Sequence, residues 1–537
     1  LQSNFLWGAS TSSYQVEGGI SNNDWDFFTR DEKIKKRISK ITKPSRVYKG
    51  FSQINLEPAV DAVKSWLPEY YIKDFSLAKT LGLNSIRISI EWSRIEPQRG
   101  IWDNKAVDHY KQMIKTMREI GLNPIVTLNH ITLPLWVLTP PTDFKKKKFQ
   151  YFIFSPLKEL PLGEPVKNDP YWFSLRGWEN QETVDEYVRY VTKIVSELKD
   201  LVDYWITIGE PIASIIGCGY LGGIWSPGFF LEGNRTKIVL HNLIEAHVQA
   251  YNVIHEIDDF DADGDGISKK VGFAHLMLSV NPLKSSSKIL GKNNKNNFEA
   301  AKKFSYFVND YYINAVVKGE EDTNYLESCE IQNIKSNNFI IHSNWKDKTD
   351  FIGLDYYRRV HVYQSLIISL SSAKFIGGAF TNKVDKNEDT STEIISDLGW
   401  EIYPEGLYEI LTYIKKTWNK PVLITENGVA DRQDKLRPKF IIDHIEQMKR
   451  AIDEDVDVIG YLHWSLMDNY EWTEGFGENG KFGLFKIDFN HSNLDKKYER
   501  NFTHSAAVFK FLINRIGKST EKKDFSNILL EAREKFT

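Results

Sequence analysis

The sequence predicts an α/β protein built as a single (β/α)8 TIM barrel with long βα loops. Two observations predict it: eight short β-rich runs recur along the 537 residues, and longer segments of helical period separate them, the pattern of a parallel sheet covered by helices. In order, the runs are "FLWGAS" from Phe5, "SIRISI" from Ser85, "NPIVTLN" from Asn123, "DYWITI" from Asp203, "VGFAHLML" from Val271, "DFIGLDY" from Asp350, "PVLITEN" from Pro421 and "DVIGYLHW" from Asp457. The intervening segments, such as "EYYIKDFSLAKTLG", "VDEYVRYVTKIVSELK" and "PEGLYEILTYIKKTW", are apolar at three- and four-residue spacing, as one buried helix face requires. A typical barrel takes about 250 residues, so roughly half of this chain falls in loops.

Three surplus stretches stand out. Residues 30–56 carry the basic segment "RDEKIKKRISKITKPSR", which reads as a solvated loop. Residues 138–176 hold "FKKKKFQYFIFSPLKELPLG", and residues 360–390 hold "VYQSLIISLSSAKFIGGAF", apolar for a loop. All three follow predicted strands and so belong to the C-terminal face, around the barrel mouth. The last two read either as packing against each other or as a greasy binding site or weak membrane-surface contact. The expected division is a catalytic barrel over residues 1–520 and a helical tail over 521–537, packed on the barrel or extending from it.

Composition narrows the function. With 41% hydrophobic and 13% aromatic residues the chain buries a large core, and 69 basic against 72 acidic residues give no general attraction for nucleic acid or an anionic membrane. A small neutral partner fits better. The two cysteines, Cys218 and Cys329, stand in no CxxC or Cys/His spacing, so neither a disulfide framework nor a zinc site is expected. No apolar run reaches the roughly 18 residues of a membrane span. The first residues, "LQSNFLWGAS", show neither Met nor signal-like regions; a cytoplasmic protein is favoured, with a removed export leader left open.

The acids that close two strands carry the chemistry. Glu210 follows "DYWITIG", and Glu426 follows "PVLIT" and precedes the turn pair "NG". A carboxylate at the end of an apolar strand is costly to bury without partners. One such acid reads as a satisfied structural group; two, on the fourth and seventh strands, face each other across one mouth. A pair about 5–5.5 Å apart gives retaining glycoside hydrolysis. Metal binding is the other use of paired acids, but no His or Asp cluster of ligand spacing accompanies these.

Seven blocks then carry a resemblance: "FLWGASTSSYQVEGG", "SIRISIEWSRIEPQRG", "TIGEP", "DFIGLDYY", "LGWEIYPEGLYEIL", "ITENGVAD" and "GYLHWSLMDNYEWTEGFGENGKFGL", in order from about residue 4 to 515. They resemble the family 1 glycoside hydrolases of the β-glucosidase and β-galactosidase type, the archaeal branch above all. The resemblance implies that Glu426 is the nucleophile and Glu210 the acid/base, with Arg87 and Tyr357 steadying Glu426. A positive neighbour and a hydrogen bond keep a carboxylate ionised, as a nucleophile requires. Gln15, His130, Glu471 and Trp472 fall on the positions that hydrogen-bond sugar hydroxyls, and Trp464 on the platform under the ring. Polar groups beside flat aromatics suit a pyranose; without the pattern, these aromatics read as core and His130 as a satisfied core histidine. Glu471 would repel a 6-phosphate. The chemistry needs no cofactor. The implied partner is a small-molecule β-glycoside, with the apolar stretches at 149–154 and 362–380 pointing to a hydrophobic aglycone, and a homo-oligomer is compatible with all of this.

The chain departs from the pattern around O2 and O3. The family motif reads Thr-x-Asn-Glu-Pro, and here Gly209 stands where the Asn belongs. That Asn donates to the 2-hydroxyl, an interaction that strengthens at the transition state; by analogy with one oxyanion-type donor its loss costs about 2.7–4 kcal/mol. Ile131 replaces the usual aromatic after His130, and Asp355 the usual Asn of "GLDYY". Three explanations fit: a substituted or differently configured sugar, a slow and broad enzyme, or a sugar-binding homologue without catalysis, against which the retained glutamates argue. Within enzymes, a transglycosylase uses the same residues and differs only in whether an acceptor outcompetes water.

One motif lies apart. "DFDADGDGISKKVGF" places Asp261, Asp263 and Asp265 before Gly266 in the D-x-D-x-D-G spacing that curls carboxylates round a hard cation. Gly272 stands where the twelfth-position Glu of an EF-hand belongs, so a structural calcium would need another acid, Glu256 or Asp259. The alternative is a solvated acidic turn, disfavoured by the mutual repulsion of clustered charges.

Overall fold

The computed structural model describes residues 4–42, 54–138, 174–284, 294–328, 339–381, 394–516 and 522–537. Eight parallel strands close into a barrel: β1 (Leu6–Ser10), β2 (Ser85–Ser89), β3 (Asn123–Asn129), β4 (Tyr204–Gly209), β5 (Lys270–Leu276), β6 (Phe351–Tyr356), β7 (Val422–Asn427) and β8 (Val458–Trp464). Each falls within, or one residue from, its predicted run. The ring is sealed by β1 pairing with β8, Leu6 opposite Gly460 and Ser10 opposite Trp464.

Local chemistry sets the covering helices. Helix α1 (Pro68–Leu81) opens with Pro at its first turn, where no N–H is needed, and stops at Gly82, whose φ of 90° is left-handed. Helix α2 (Asn104–Ile120) is capped by the Asp103 carboxylate, which accepts from the N–H groups of Lys105 and Ala106. Helix α3 (Gln181–Leu198) is capped the same way by Asn180. Helices α4 (Gly233–Ile257), α5 (Tyr311–Lys318), α6 (Glu405–Thr417), α7 (Arg437–Asp453) and α8 (His504–Ile516) complete the coat. Helix α9 (Lys522–Phe536) lies on α7 and α8: Phe525 and Leu529 are buried, and Arg533 pairs with Asp443 at 2.9 Å and Glu446 at 2.6 Å.

Strand alternation divides the core in two. Inward residues Leu6, Ile125, Tyr204, Ile206, Phe351, Leu423 and Leu462 plug the barrel, while outward ones such as Ile86, Val126 and Ile352 pack against the helices. Towards the C-terminal ends the polar Arg87, Thr127 and Asp355 are instead fully buried. The pairing register also slips, on β7 between Ile424 and Glu426 and on β4 between Ile206 and Gly209. Such bulges re-aim side chains at barrel rims, and here they fall just before the two glutamates.

The surplus stretches differ from expectation in one respect. Much of the basic segment is a helix, Glu32–Thr42, not a solvated loop: Ile34 and Ile38, one turn apart, are buried against Phe28 and Leu56. The lysines between them hide this stripe, since a helix needs only one apolar face to dock. Residues 139–173 lie outside the described residues, and with them most of the second stretch. In the third, Arg359–Tyr363 pairs with Ser279–Pro282 and Ala379–Thr381 in a three-stranded sheet over the mouth.

Candidate active site

Glu210 and Glu426 meet at the mouth, and both line a cavity of about 290 Å³. One carboxylate oxygen of each lies within 4.8 Å of the other. Their surroundings differ. Arg87 Nη1 donates to Glu426 Oε1 at 2.6 Å, and Tyr357 Oη donates to Oε2 at 2.5 Å. Burial raises the Glu426 carboxyl, and these two donors oppose it. Glu210 accepts from Ser214 Oγ; burial first and the charge of Glu426 second push it up to about 8. Both acids are raised by burial, but Glu426 has two donors that favour its carboxylate, whereas the charge of Glu426 adds to burial in holding the proton on Glu210.

The backbone is unusual here. Glu210 has a φ of 49°, in the left-handed region that side-chain-bearing residues seldom enter, and it opens a wide π-type helix, Pro211–Leu221. Such turns recur at functional sites. Ile131 sits at a φ of 74°, an outlier for a β-branched residue and a mark of strain held by its surroundings.

The expected sugar residues take two positions. His130, Trp464, Glu471 and Trp472 line the cavity. The His130 ring lies parallel to both indoles, centroids 6.2 Å from Trp464 and 6.3 Å from Trp472; burial and Arg87 drive it neutral. Glu471 is raised to about 8 by burial, Glu474, Glu426 and Glu210. By contrast Gln15, Arg87 and Asp355 have no exposed surface and form the floor behind the wall. Gln15 Nε2 donates to the Tyr470 carbonyl at 2.7 Å, and its Oε1 accepts from Ser12 Oγ. Gly209 is buried between His130, Arg87 and Asn129.

Three contributors escaped the sequence reading. Ser214 lies four residues after Glu210, a helical spacing that becomes visible only once Pro211–Leu221 is known to be helical. Trp225 joins the cluster of Trp25 and Trp472. Arg358, next to Tyr357 in the motif, lines the cavity, its guanidinium 4.7 Å from the Trp400 ring. Beyond the glutamates the wall turns apolar: Ile212 and Leu221 of the Pro211–Leu221 helix are joined by Leu278, Phe307, Ile376 and Phe380 from other segments.

The acidic loop lies before β5, at the opposite end of the barrel. Asp261 accepts from the N–H groups of Gly264 and Gly266. Asp265 does not join it: its carboxylate pairs with Lys270 at 2.7 Å. Instead Asp203, Asp261 and Asp263 bring carboxylate oxygens within 4.8 Å of one another. Asp259 pairs with Lys199 at 2.6 Å.

A glutamate pair across one barrel mouth agrees with what comparison with known proteins finds. The model of glycosyl hydrolase family 1 matches residues 1–153 and 174–518. The chain belongs to this family. It is 28% identical to a β-galactosidase of Pyrococcus woesei over 97% of this chain and 98% of that protein, and 28% identical to β-glucosidase A of Thermotoga maritima over 90% and 93%. Among solved structures, the β-glycosidase of Thermosphaera aggregans superposes with a TM-score of 0.72 at 25% identity, covering 98% of this chain and 99% of that one. The β-glycosidase of Pyrococcus horikoshii gives 0.69 at 26%, covering 100% and 97%. The enzyme is a family 1 β-glycosidase, and among the described residues no helix is long and apolar enough to cross a membrane.

Proposed function

We propose that the enzyme is a retaining exo-β-glycosidase that works by double displacement and prefers a glycoside with an apolar aglycone. The observation that carries the mechanism is the asymmetry of the close pair: Glu426 is gripped by Arg87 and Tyr357, while Glu210 is raised to about 8. Carboxylate oxygens within 4.8 Å leave no room for the water that an inverting pair spans at about 6.5–9.5 Å. Glu426 attacks the anomeric carbon as Glu210 protonates the leaving oxygen. The aglycone departs and Glu210 now carries the charge; it takes a proton from water as the water oxygen attacks the anomeric carbon, breaking the ester bond and releasing Glu426 as its carboxylate. His130, Glu471 and Trp472 hold the sugar over Trp464, with Gln15 behind them fixing the Tyr470 backbone. Mass-spectrometric trapping of Glu426 by a 2-fluoro glycoside tests the assignment; a label on any other residue overturns it.

The apolar half of the cavity supports the aglycone preference. Burying one methylene contributes about 0.8 kcal/mol, so kcat/KM over a series of alkyl β-glucosides is expected to rise about fourfold per carbon until the cavity is full. A flat series refutes it. At the rim Leu366 and Leu370 are 74% and 78% exposed, which supports weak contact with an amphiphile surface; Leu366→Ser/Leu370→Ser is expected to lower turnover of micellar but not of monomeric substrate. For the acidic loop we propose a structural calcium ion on Asp203, Asp261 and Asp263. A solved β-glucosidase mutant, 26% identical to this chain, derives from a hyperthermophilic tetramer, and a homo-oligomer is proposed here on that ground.

A further inference from the structure

The floor holds three carboxyl groups rather than two. Asp355, the penultimate residue of β6, lies directly opposite Glu426 in the strand register. It is fully buried, and the carboxylate oxygens of Glu210, Asp355 and Glu426 all lie within 4.8 Å of one another. Thr425 Oγ1 donates to Asp355 Oδ1 at 2.6 Å. Asp355 Oδ2 is buried and finds no hydrogen-bond partner among the described residues. The guanidinium of Arg87 stands 2.6 Å from Glu426 and 3.9 Å from Asp355.

Three such carboxyls read first as a cation cage, but Arg87 already fills that role and would repel a metal ion. Charge arithmetic then decides. With Glu210 protonated as the acid, ionised Glu426 and Asp355 would share one guanidinium and leave a net negative charge sealed from water. Carboxylates this close do not both ionise readily, and an ionised Oδ2 without a donor is the costliest arrangement. One more proton makes the floor neutral.

We propose that Asp355 is a positioning residue that remains a neutral carboxylic acid through the catalytic cycle and leaves Arg87 undivided on Glu426. Burial and the charge of Glu426 both hold its proton on, against the pull of Arg87 and Thr425. The groups facing it are Glu426 and Thr425 from β7, Arg87 from β2, Glu210 from the end of β4 and the phenol of Tyr357 just after β6. The inference rests on the double-displacement reading: when Glu210 gives up its proton, Glu426 loses its charge to the ester bond, so the three carboxyls together carry one negative charge in both halves, balanced by Arg87. Asp355 keeps its proton throughout and stands in for an amide.

Infrared difference spectra of the native enzyme against Asp355→Asn at pH 7 test this without turnover. The expected result is loss of a protonated-carboxyl carbonyl band; loss of a carboxylate band overturns the proposal. If that variant does not fold, Thr425→Val serves, because removing the donor to Oδ1 shifts the carbonyl band if Asp355 is neutral and a carboxylate band if it is not. In kinetics, the alkaline midpoint of kcat/KM is expected to stay put in Asp355→Asn, a neutral-for-neutral exchange. A fall of about one unit or more refutes it, since that is what removing an adjacent charge would do. Absence of turnover in the native enzyme would strike the double-displacement reading, and the infrared result would still decide Asp355.

Discussion

Restoring an amide at position 209 is the most direct probe of this sugar pocket. A Cβ built on Gly209 would lie 3.5 Å from His130 Nδ1 and 3.6 Å from both Arg87 Nη2 and the Asn129 carbonyl, and its φ is not left-handed. These are ordinary contacts, so space and backbone both admit a side chain there. Replacing the glycine also restricts the unfolded chain, which favours folding by about 0.4–1 kcal/mol. The gain at the transition state is set by one preorganised donor to the 2-hydroxyl, about 2.7–4 kcal/mol or 10²–10³ in rate. Gly209→Asn is therefore expected to hydrolyse nitrophenyl β-glucoside some hundredfold faster than the native enzyme, and Gly209→Ala, which fills the space without donating, is not. The 2-deoxy glucoside supplies the control, because no gain is expected where the hydroxyl is absent. Equal rates for the Asn and Ala variants on the glucoside would refute the reasoning, as would an equal gain on the 2-deoxy substrate. A native preference for a 2-substituted sugar, abolished by Asn, would mean that Gly209 makes room.

Other outcomes follow from the same geometry. Glu426→Gln is expected to abolish turnover while sugar binding persists, measurable by calorimetry with a glucoside. Because Glu210 must be protonated to act, and its value is about 8, kcat/KM should fall above that pH; Ser214→Ala removes a donor that favours the carboxylate and should move this limb upward. Glu471 is raised to about 8 in the folded chain from an ordinary value near 4.3. The unfolded chain therefore binds fewer protons between those values, and native stability falls as pH rises through that window. Glu471→Gln should thus raise Tm little at pH 5 and most at pH 8, as read by calorimetric melts. For the acidic loop, calcium at a hundredfold excess over its Kd should add about 2.7 kcal/mol of stability, and Asp263→Asn should remove the response.

Much of this was legible in the sequence because it is local. Strand runs, helix caps and the closing glutamates Glu210 and Glu426 declare themselves within a few residues, since alternation, turn chemistry and capping act over that range. Motif order carried the family, and with it His130, Trp464 and Trp472. What the sequence hid depends on closure of the barrel. Lysines masked the Ile34–Ile38 stripe, whose partners Phe28 and Leu56 come from outside the segment. The spacing of Asp261, Asp263 and Asp265 suggested three converging acids, but Lys270 draws Asp265 aside and Asp203 arrives from the start of β4. No periodicity announces that bulges on β4 and β7 re-aim two glutamates, or that β6 delivers Asp355 beneath them, beside the guanidinium that grips Glu426. Local pattern fixes which residues stand at strand ends; only ring closure decides which ends meet, and the low dielectric of that meeting point decides which acids keep their protons.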